Sequence, residues 1–476
     1  MPVTGISVEG LRGFQVGQAI EPAIPNGEAG SGLTVIVGPN NSGKSTMLEA
    51  LRAMMSAGDK NRSFPDRARN VGSGSRVRIS LSYGPGQVQH LQTAESGGSE
   101  TVWRHEGSFT PTPLLVIPSR RAFPSHFERA VDDRVQYQLR LSGSGRRPTT
   151  HEFFGNRLFR IEQGNNRRKF DDVLSRVLSP TPRWYIEQQG QGEYYLRLES
   201  GKGHHDSEGL GDGVLSLFVI VDALYDSRPG ELIAIDEPEL SLHPALQRKL
   251  AEVLCDFSRD RQIIICTHSP YFVDPARLAA GCRLVRAHPK NGGSNLCQLT
   301  AETGKRLARL TEDLNNPHAV GLDAREALFL GDGIILFEGQ EDVRMIGLVE
   351  KQAGVQICGT PYGWGVGGAG KMRLLATLFR ELGFQRVVGV LDADKAESIP
   401  GLQADFPDFF FGTQPAKDIR TKDARTLSAV RGLLDEKHHL RGEYVSETVC
   451  LLESINAYLS GQADAYDLAE DQDRIG

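Results

Sequence analysis

The nine residues GPNNSGKST (38–46) constrain this chain more than any other stretch. They follow LTVIV (33–37), an apolar run of the length of one buried strand, and lead into KSTMLEALRAMM, which reads as a helix. A G-x-x-x-x-G-K-[S/T] turn between a strand and a helix is a phosphate cradle. Gly38 and Gly43 free the backbone N–H groups to face an anion, and Asn41 and Thr46 belong to the same loop. The helix N-terminus adds partial positive charge. Lys44 is placed to reach the β- and γ-phosphates of ATP, and Ser45 to ligate its Mg²⁺.

Two more apolar strands end in polar residues. LIAIDEPE (232–239) delivers Asp236 to the Mg²⁺ shell and Glu237 beside it to orient an attacking water. IIICTHS (263–269) delivers His268. Between them PALQRKLAEVLCDFSRD reads as an amphipathic helix. Continuously apolar strands alternating with helices predict a parallel sheet covered on both faces.

A second strand–helix alternation starts near residue 332. ILFEGQEDV (335–343) ends a strand in Glu338, with Asp342 four residues on, and VVGVLDADKA (387–396) ends another in Asp392 and Asp394. Carboxylates at i and i+2 of a strand share a face and repel unless a cation lies between them. A metal ion and an exposed turn both answer that repulsion. If the two strands are parallel neighbours, Glu338, Asp342, Asp392 and Asp394 gather at one carboxyl edge, where α/β sheets place their sites. Hard oxygen ligands of this kind suit Mg²⁺ or Mn²⁺, and a pair of such ions can clamp a phosphodiester. QPAKDIRTK (414–422), which carries Lys417, reads on its own as a solvated charged loop. GGAGK (367–371) lacks the spacing of a second phosphate loop and reads as a tight strand-to-helix turn.

The chain has 476 residues, which predicts more than one domain, and a net charge of −6, so any nucleic-acid surface has to be local. SRR, GRR and NRRK (119–121, 145–147, 166–169) supply such local charge, as a solvated face or as contacts to DNA phosphates. No apolar run is long enough to span a bilayer and the N-terminus has no leader pattern, so a cytoplasmic protein without membrane contact is expected. Six scattered cysteines, none in a CxxC pair, read as reduced structural thiols.

Over about residues 1–300 the motif order resembles the ABC-type ATPase heads of the SMC and RecF-like group. LGDGVLSL (210–217) occupies the signature position, with Gly211 where relatives carry the signature serine and with Gly213 next to it, and SLHP (241–244) occupies that of the D-loop. The resemblance implies ATP hydrolysis with Glu237 and His268 as catalytic groups, and a composite site needing a homodimer or higher oligomer. Glu338, Asp342, Asp392 and Asp394 resemble the acidic set of a Toprim domain. The two halves together resemble the OLD (overcoming lysogenization defect) family of ATP-linked endonucleases, in the same circle as the Gabija nuclease. That implies an α/β chain: an ABC-type P-loop ATPase domain over 1–325, with a helical, basic insertion at about 120–205, then a Rossmann-like parallel-sheet Toprim domain over 326–476. It implies DNA as substrate, Glu338 and Lys417 as catalytic groups, an anti-phage role and room for a companion helicase or sensor subunit. The alternative function is a nucleotide-dependent sensor or scaffold that recruits a separate effector.

Overall fold

The computed structural model describes residues 1–55, 63–74, 76–94, 99–119, 154–164, 166–189, 193–200, 203–206, 212–312, 320–422, 430–465 and 468. The chain forms two compact units, Met1–Gln298 and Leu299–Gly476.

In the first unit, outside the insertion, strands of two patterns form two sheets. β1 (Gly5–Glu9), β2 (Gln18–Ile20), β4 (Arg78–Gly84), β5 (Gln87–Thr93) and β6 (Thr101–Glu106) make an antiparallel sheet in the order β2-β1-β4-β5-β6. β3 (Leu33–Val37), β11 (Leu232–Asp236) and β12 (Gln262–Cys266) are buried at every position. They lie in a six-stranded sheet ordered β14-β13-β3-β12-β11-β7, with β7 Leu114–Ile117, β13 Arg283–Lys290 and β14 Gly293–Gln298. The pairings are parallel except for the β13–β14 hairpin. Strands this apolar need cover on both faces. On one side Ile36, Ala234 and Ile264 share a core with Met47 and Leu51 of the Lys44–Met54 helix and with Ile6, Ile79 and Leu91 of the antiparallel sheet.

The insertion is not purely helical. Helices Phe154–Gln163 and Arg167–Val177 precede an antiparallel sheet of β8 (Arg183–Gln189), β9 (Glu193–Ser200) and β10 (Gly203–Asp206). Trp184 on β8 and Tyr194, Leu196 and Leu198 on β9 are buried. Tyr185 pairs with Arg197 and Glu187 with Tyr195 across the two strands, and all four are half-buried. This period-two alternation makes it a sheet. Of the basic clusters, 145–147 and Arg120–Arg121 lie outside the described residues. Arg167 is engaged by Glu162 at 3.5 Å and stacks on Trp184, while Arg168 and Lys169 are exposed.

The second unit holds an all-parallel sheet ordered β16-β15-β17-β18: β15 Ile334–Phe337, β16 Thr360–Pro361, β17 Val387–Leu391 and β18 Phe410–Thr413. Ile335, Val388 and Phe410 pack with Ile455 and Tyr458 of the Val445–Leu459 helix. Residues 299–325, placed by the sequence reading in the first domain, group with this second unit. Thr303 of the Ala301–Leu310 helix donates to Glu381 Oε1 at 2.6 Å, and Leu307 and Ala308 are buried. Among the described residues no helix is long and apolar enough to cross a membrane. All six cysteines are unpaired; Cys255, Cys266 and Cys282 are buried, whereas Cys358 and Cys450 are exposed.

Candidate functional site

Because β3, β12 and β11 run parallel and adjacent, their carboxyl ends bring three motifs to one rim of the first unit. Gly43, at φ 104°, caps the Lys44–Met54 helix, and Asn41 also takes the left-handed region at φ 60°. The buried Lys44 Nζ donates to the carbonyls of Gly38 at 2.9 Å and Pro39 at 2.7 Å, so the loop curls around its ammonium. Burial holds the Lys44 pKa below its ordinary value against the pull of nearby Asp236 and Glu237. Thr46 follows Ser45 in the first turn. Ser45 Oγ donates to Asp236 Oδ1 at 3.4 Å, joining one Mg²⁺-ligand candidate from the helix after β3 to another from the end of β11.

Glu237 sits at φ 48°, a backbone conformation uncommon for a residue with a Cβ, and its N–H donates to Cys266 O at 2.8 Å. His268 is half-buried. Burial, and then the Lys44 charge, lower its pKa from the ordinary value, which keeps the ring neutral at pH 7. A residue the sequence reading passed over holds it. Glu239 Oε1 accepts from the His268 N–H at 2.6 Å, and Oε2 accepts from Thr267 Oγ1 at 2.8 Å. Gln247 ties the D-loop to the same segment, donating to Leu242 O at 2.8 Å and accepting from Ser269 Oγ at 2.6 Å. Gly211 lies outside the described residues. Gly213 opens the Asp212–Asp226 helix against the D-loop, where a Cβ would stand 2.1 Å from Ser241 O, so this approach requires glycine.

In the second unit β15 and β17 are the parallel neighbours that the carboxylate reading requires, with Phe337 opposite Val390. Glu338 and Asp392 follow directly, and the Asp392 N–H donates to Glu338 Oε2 at 3.2 Å. Asp342 Oδ2 accepts from the Gly339 N–H at 2.8 Å, capping the Gln340–Ala353 helix from its third position. Glu338, Glu341, Asp342, Asp392 and Asp418 line one cavity of about 330 Å³, with Lys422 and the glycine-rich loop on its wall. Gln414 donates to Asp392 Oδ1. Burial foremost, then the charges of Asp418 and Glu338, push Asp342 up to about 6. Burial foremost, then Asp342 and Glu338, push Asp392 up to about 7. Glu341 moves the other way, held below the usual range chiefly by its hydrogen bond to Arg420, with Lys422 Nζ 3.0 Å away.

Two expected residues stand apart from the cavity lining. Asp394 is exposed and paired with Lys395 Nζ at 2.5 Å, because the chain turns into a 3-10 helix after Asp392 and abandons the strand's period of two. Lys417 is exposed, and Lys422, paired with Asp418 as well as Glu341, lies on the cavity wall instead. Among the described residues no three His, Cys, Asp or Glu side chains are grouped closely enough to hold a metal ion as they stand. The chemistry of the set nevertheless suits a hard divalent cation: oxygen donors, two of them raised by burial and mutual repulsion.

Residues 33–274 match the family described as AAA domain, putative AbiEii toxin, Type IV TA system. A protein of Thermus scotoductus named OLD nuclease is 25% identical over 309 residues, 53% of this chain and 58% of that protein, so the match spans under two thirds of the relative's length. Among solved structures, the SMC head domain from Thermotoga maritima is similar at a TM-score of 0.36 and 16% identity, covering 63% of this chain and 100% of that one. The Smc head from Pyrococcus furiosus, with an extended coiled coil and bound to the C-terminal domain of ScpA, is similar at 0.42 and 13%, covering 65% and 99%.

Proposed function

The chain belongs to the AAA-domain family matched by residues 33–274, and on that premise we propose that it is an ATP-hydrolysing, divalent-metal-dependent DNA endonuclease. The observation that carries the nuclease half is the Asp392–Glu338 contact at 3.2 Å, on adjacent parallel strand ends, within a cavity lined by three further carboxylates. Its sheet and acidic set fit a Toprim unit acting on phosphodiesters, and the resemblance to the OLD family makes phage or plasmid DNA the fitting target.

In the first unit Lys44 neutralises charge on the β- and γ-phosphates, and Ser45 and Asp236 would hold Mg²⁺. Glu237 orients the attacking water. His268, neutral and fixed through its backbone by Glu239, presents its ring to the γ-phosphate. Two such chains facing one another would complete the nucleotide site, with Gly213 and its helix start supplying N–H groups.

In the second unit Glu338, Asp342 and Asp392, with Asp418, would hold Mg²⁺ or Mn²⁺. Bound there, the ion would supply charge neutralisation and an activated water. Gln414 and the Asp392 N–H fix the two strand-end carboxylates in direction before substrate arrives. Glu338 accepts and returns the proton at its carboxylate. Lys422 presents a positive charge to the phosphate backbone.

One observation favours a second reading, a nucleotide-dependent sensor or scaffold that recruits a separate effector: the described carboxylates do not form a finished metal cage. A plasmid-nicking assay with Mg²⁺ or Mn²⁺ and titrated ATP separates the two. On the nuclease reading the parent nicks and Asp392→Ala loses at least a hundredfold of the rate. A parent that never cuts, with any metal or nucleotide, sinks it.

A further inference from the structure

Trp364 stands on the wall of the carboxylate cavity at 43% exposure. Among the described residues it is the only phenylalanine, tyrosine or tryptophan that is exposed; the other two tryptophans, Trp103 and Trp184, are half-buried and buried. An indole face open to solvent on the wall of a cavity is a flat surface on which another ring can stack.

The loop around it holds the ring out. Gly363 and Gly365, at φ 48° and 88°, bracket Trp364, and the turn closes through the Gly365 N–H to Tyr362 O at 3.0 Å. A Cβ on Gly365 would stand 2.6 Å from the Gly339 backbone, and one on Gly363 3.0 Å from Ala324. The next residues are laced to the strand end that carries the site: Val366 N–H to Phe337 O and Gly368 N–H to Glu338 O, both at 2.9 Å. The indole Nε1–H donates to Asp323. That bond takes up the ring's polar atom while the residue stays exposed.

We propose that Trp364 is a stacking platform for an unpaired nucleobase, so that the second unit acts on DNA with a single-stranded or unstacked nucleotide beside the phosphodiester to be cut. The inference rests on the nuclease reading and narrows its substrate. In an intact duplex the base faces are covered by neighbouring bases and only their edges are open. An indole face finds a base only where the stack is interrupted, and stacking there is tolerant of base identity. Trp364 is therefore a positioning residue that sets which DNA structure is cut, without choosing its sequence.

The test uses the full chain and two labelled DNAs: a paired duplex, and the same duplex with a short single-stranded gap. Binding is read by fluorescence anisotropy in EDTA, and cleavage separately with Mn²⁺. The parent is expected to bind and cut the gapped DNA in preference. Trp364→Ala should lose about tenfold in affinity for the gapped DNA and little for the duplex. Trp364→Phe should recover most of that loss, and ATP hydrolysis should be unchanged in both variants. If the parent cuts both DNAs and Trp364→Ala matches it in binding and preference, the platform is refuted while the nuclease stands. A parent that binds and cuts neither overturns both.

Discussion

At the scale of single residues, the legible part of the site is the part carried by strand ends. Glu338, Asp392 and Asp236 end or directly follow apolar runs, and Lys44 and Ser45 sit in a spaced phosphate-loop motif behind one, so their place at a sheet edge is encoded locally. Glu341, Asp418, Lys422 and Gln414 reach the cavity or its ligands by way of loops and a helix start, and nothing in their neighbours' pattern marks that. Asp394 shows the limit of periodicity, since the alternation that pairs it with Asp392 lasts only as long as the strand. Glu239 belongs to the unmarked class and offers a sharp test. Its carboxylate holds both Thr267 and the His268 backbone, and burial has raised its pKa, so it is poised by contacts and not by exposure. Glu239→Gln keeps the size but replaces one acceptor with a donor facing the Thr267 hydroxyl or the His268 N–H. ATP turnover at saturating nucleotide is expected to fall about tenfold, in keeping with the loss of one charge-assisted hydrogen bond. ATP affinity should be nearly unchanged in a binding titration. Unaltered phosphate release would remove Glu239 from the switch.

At the scale of elements, the insertion is where the sequence misleads. RWYIEQQ and EYYLRLES alternate as strands do, yet their alternate positions are filled with Arg, Glu and Gln, which blur an apolar–polar count. The structure shows why those residues suit a sheet: Arg197 and Tyr195 both bond Glu187 across the strand pair, at 2.7 Å and 2.9 Å. The Phe154–Gln163 helix of the insertion is fastened to the ATPase core by charge. Arg157 Nε lies 3.1 Å from Asp222 Oδ1 and its Nη2 lies 3.1 Å from Asp226 Oδ2, both on the Asp212–Asp226 helix that follows the signature position. Asp222 is buried, and the Arg157 side chain is only 11% exposed. Removing one partner of such a pair strands the other charge in a poor solvent. Arg157→Ala is expected to destabilise the first unit by about 3 kcal/mol in denaturant unfolding, whereas Arg157→Leu with Asp222→Leu recovers much of the loss. A single variant within experimental error of the parent would show that water already solvates Asp222.

At the scale of the whole molecule, two separate strand–helix alternations foretold two units, while the border between them was hidden. Only one face of the Ala301–Leu310 helix is buried, and its anchor, Glu381, lies 78 positions from Thr303. No local pattern carries a contact of that span. Each unit has a core of its own, with Ile36, Met47 and Ile264 in one and Ile335, Val388 and Tyr458 in the other. Each also has its own candidate ligand site, so thermal unfolding should answer to two ligands separately. Saturating ATP, added where Mg²⁺ is already present, is expected to raise the melting temperature of the parent and of Glu338→Gln by about 5 °C over Mg²⁺ alone, and to leave Lys44→Ala unmoved. Mn²⁺ without nucleotide should raise the parent and Lys44→Ala, because it relieves the repulsion among Asp342, Asp392 and Glu338. It should do far less for Glu338→Gln, which has already lost one of those charges. Differential scanning fluorimetry reads all six combinations. If Lys44→Ala also abolished the Mn²⁺ response, the ion would be acting at the nucleotide loop. The strand-end carboxylates would then be an acidic turn after all, with the nuclease assignment falling along with them.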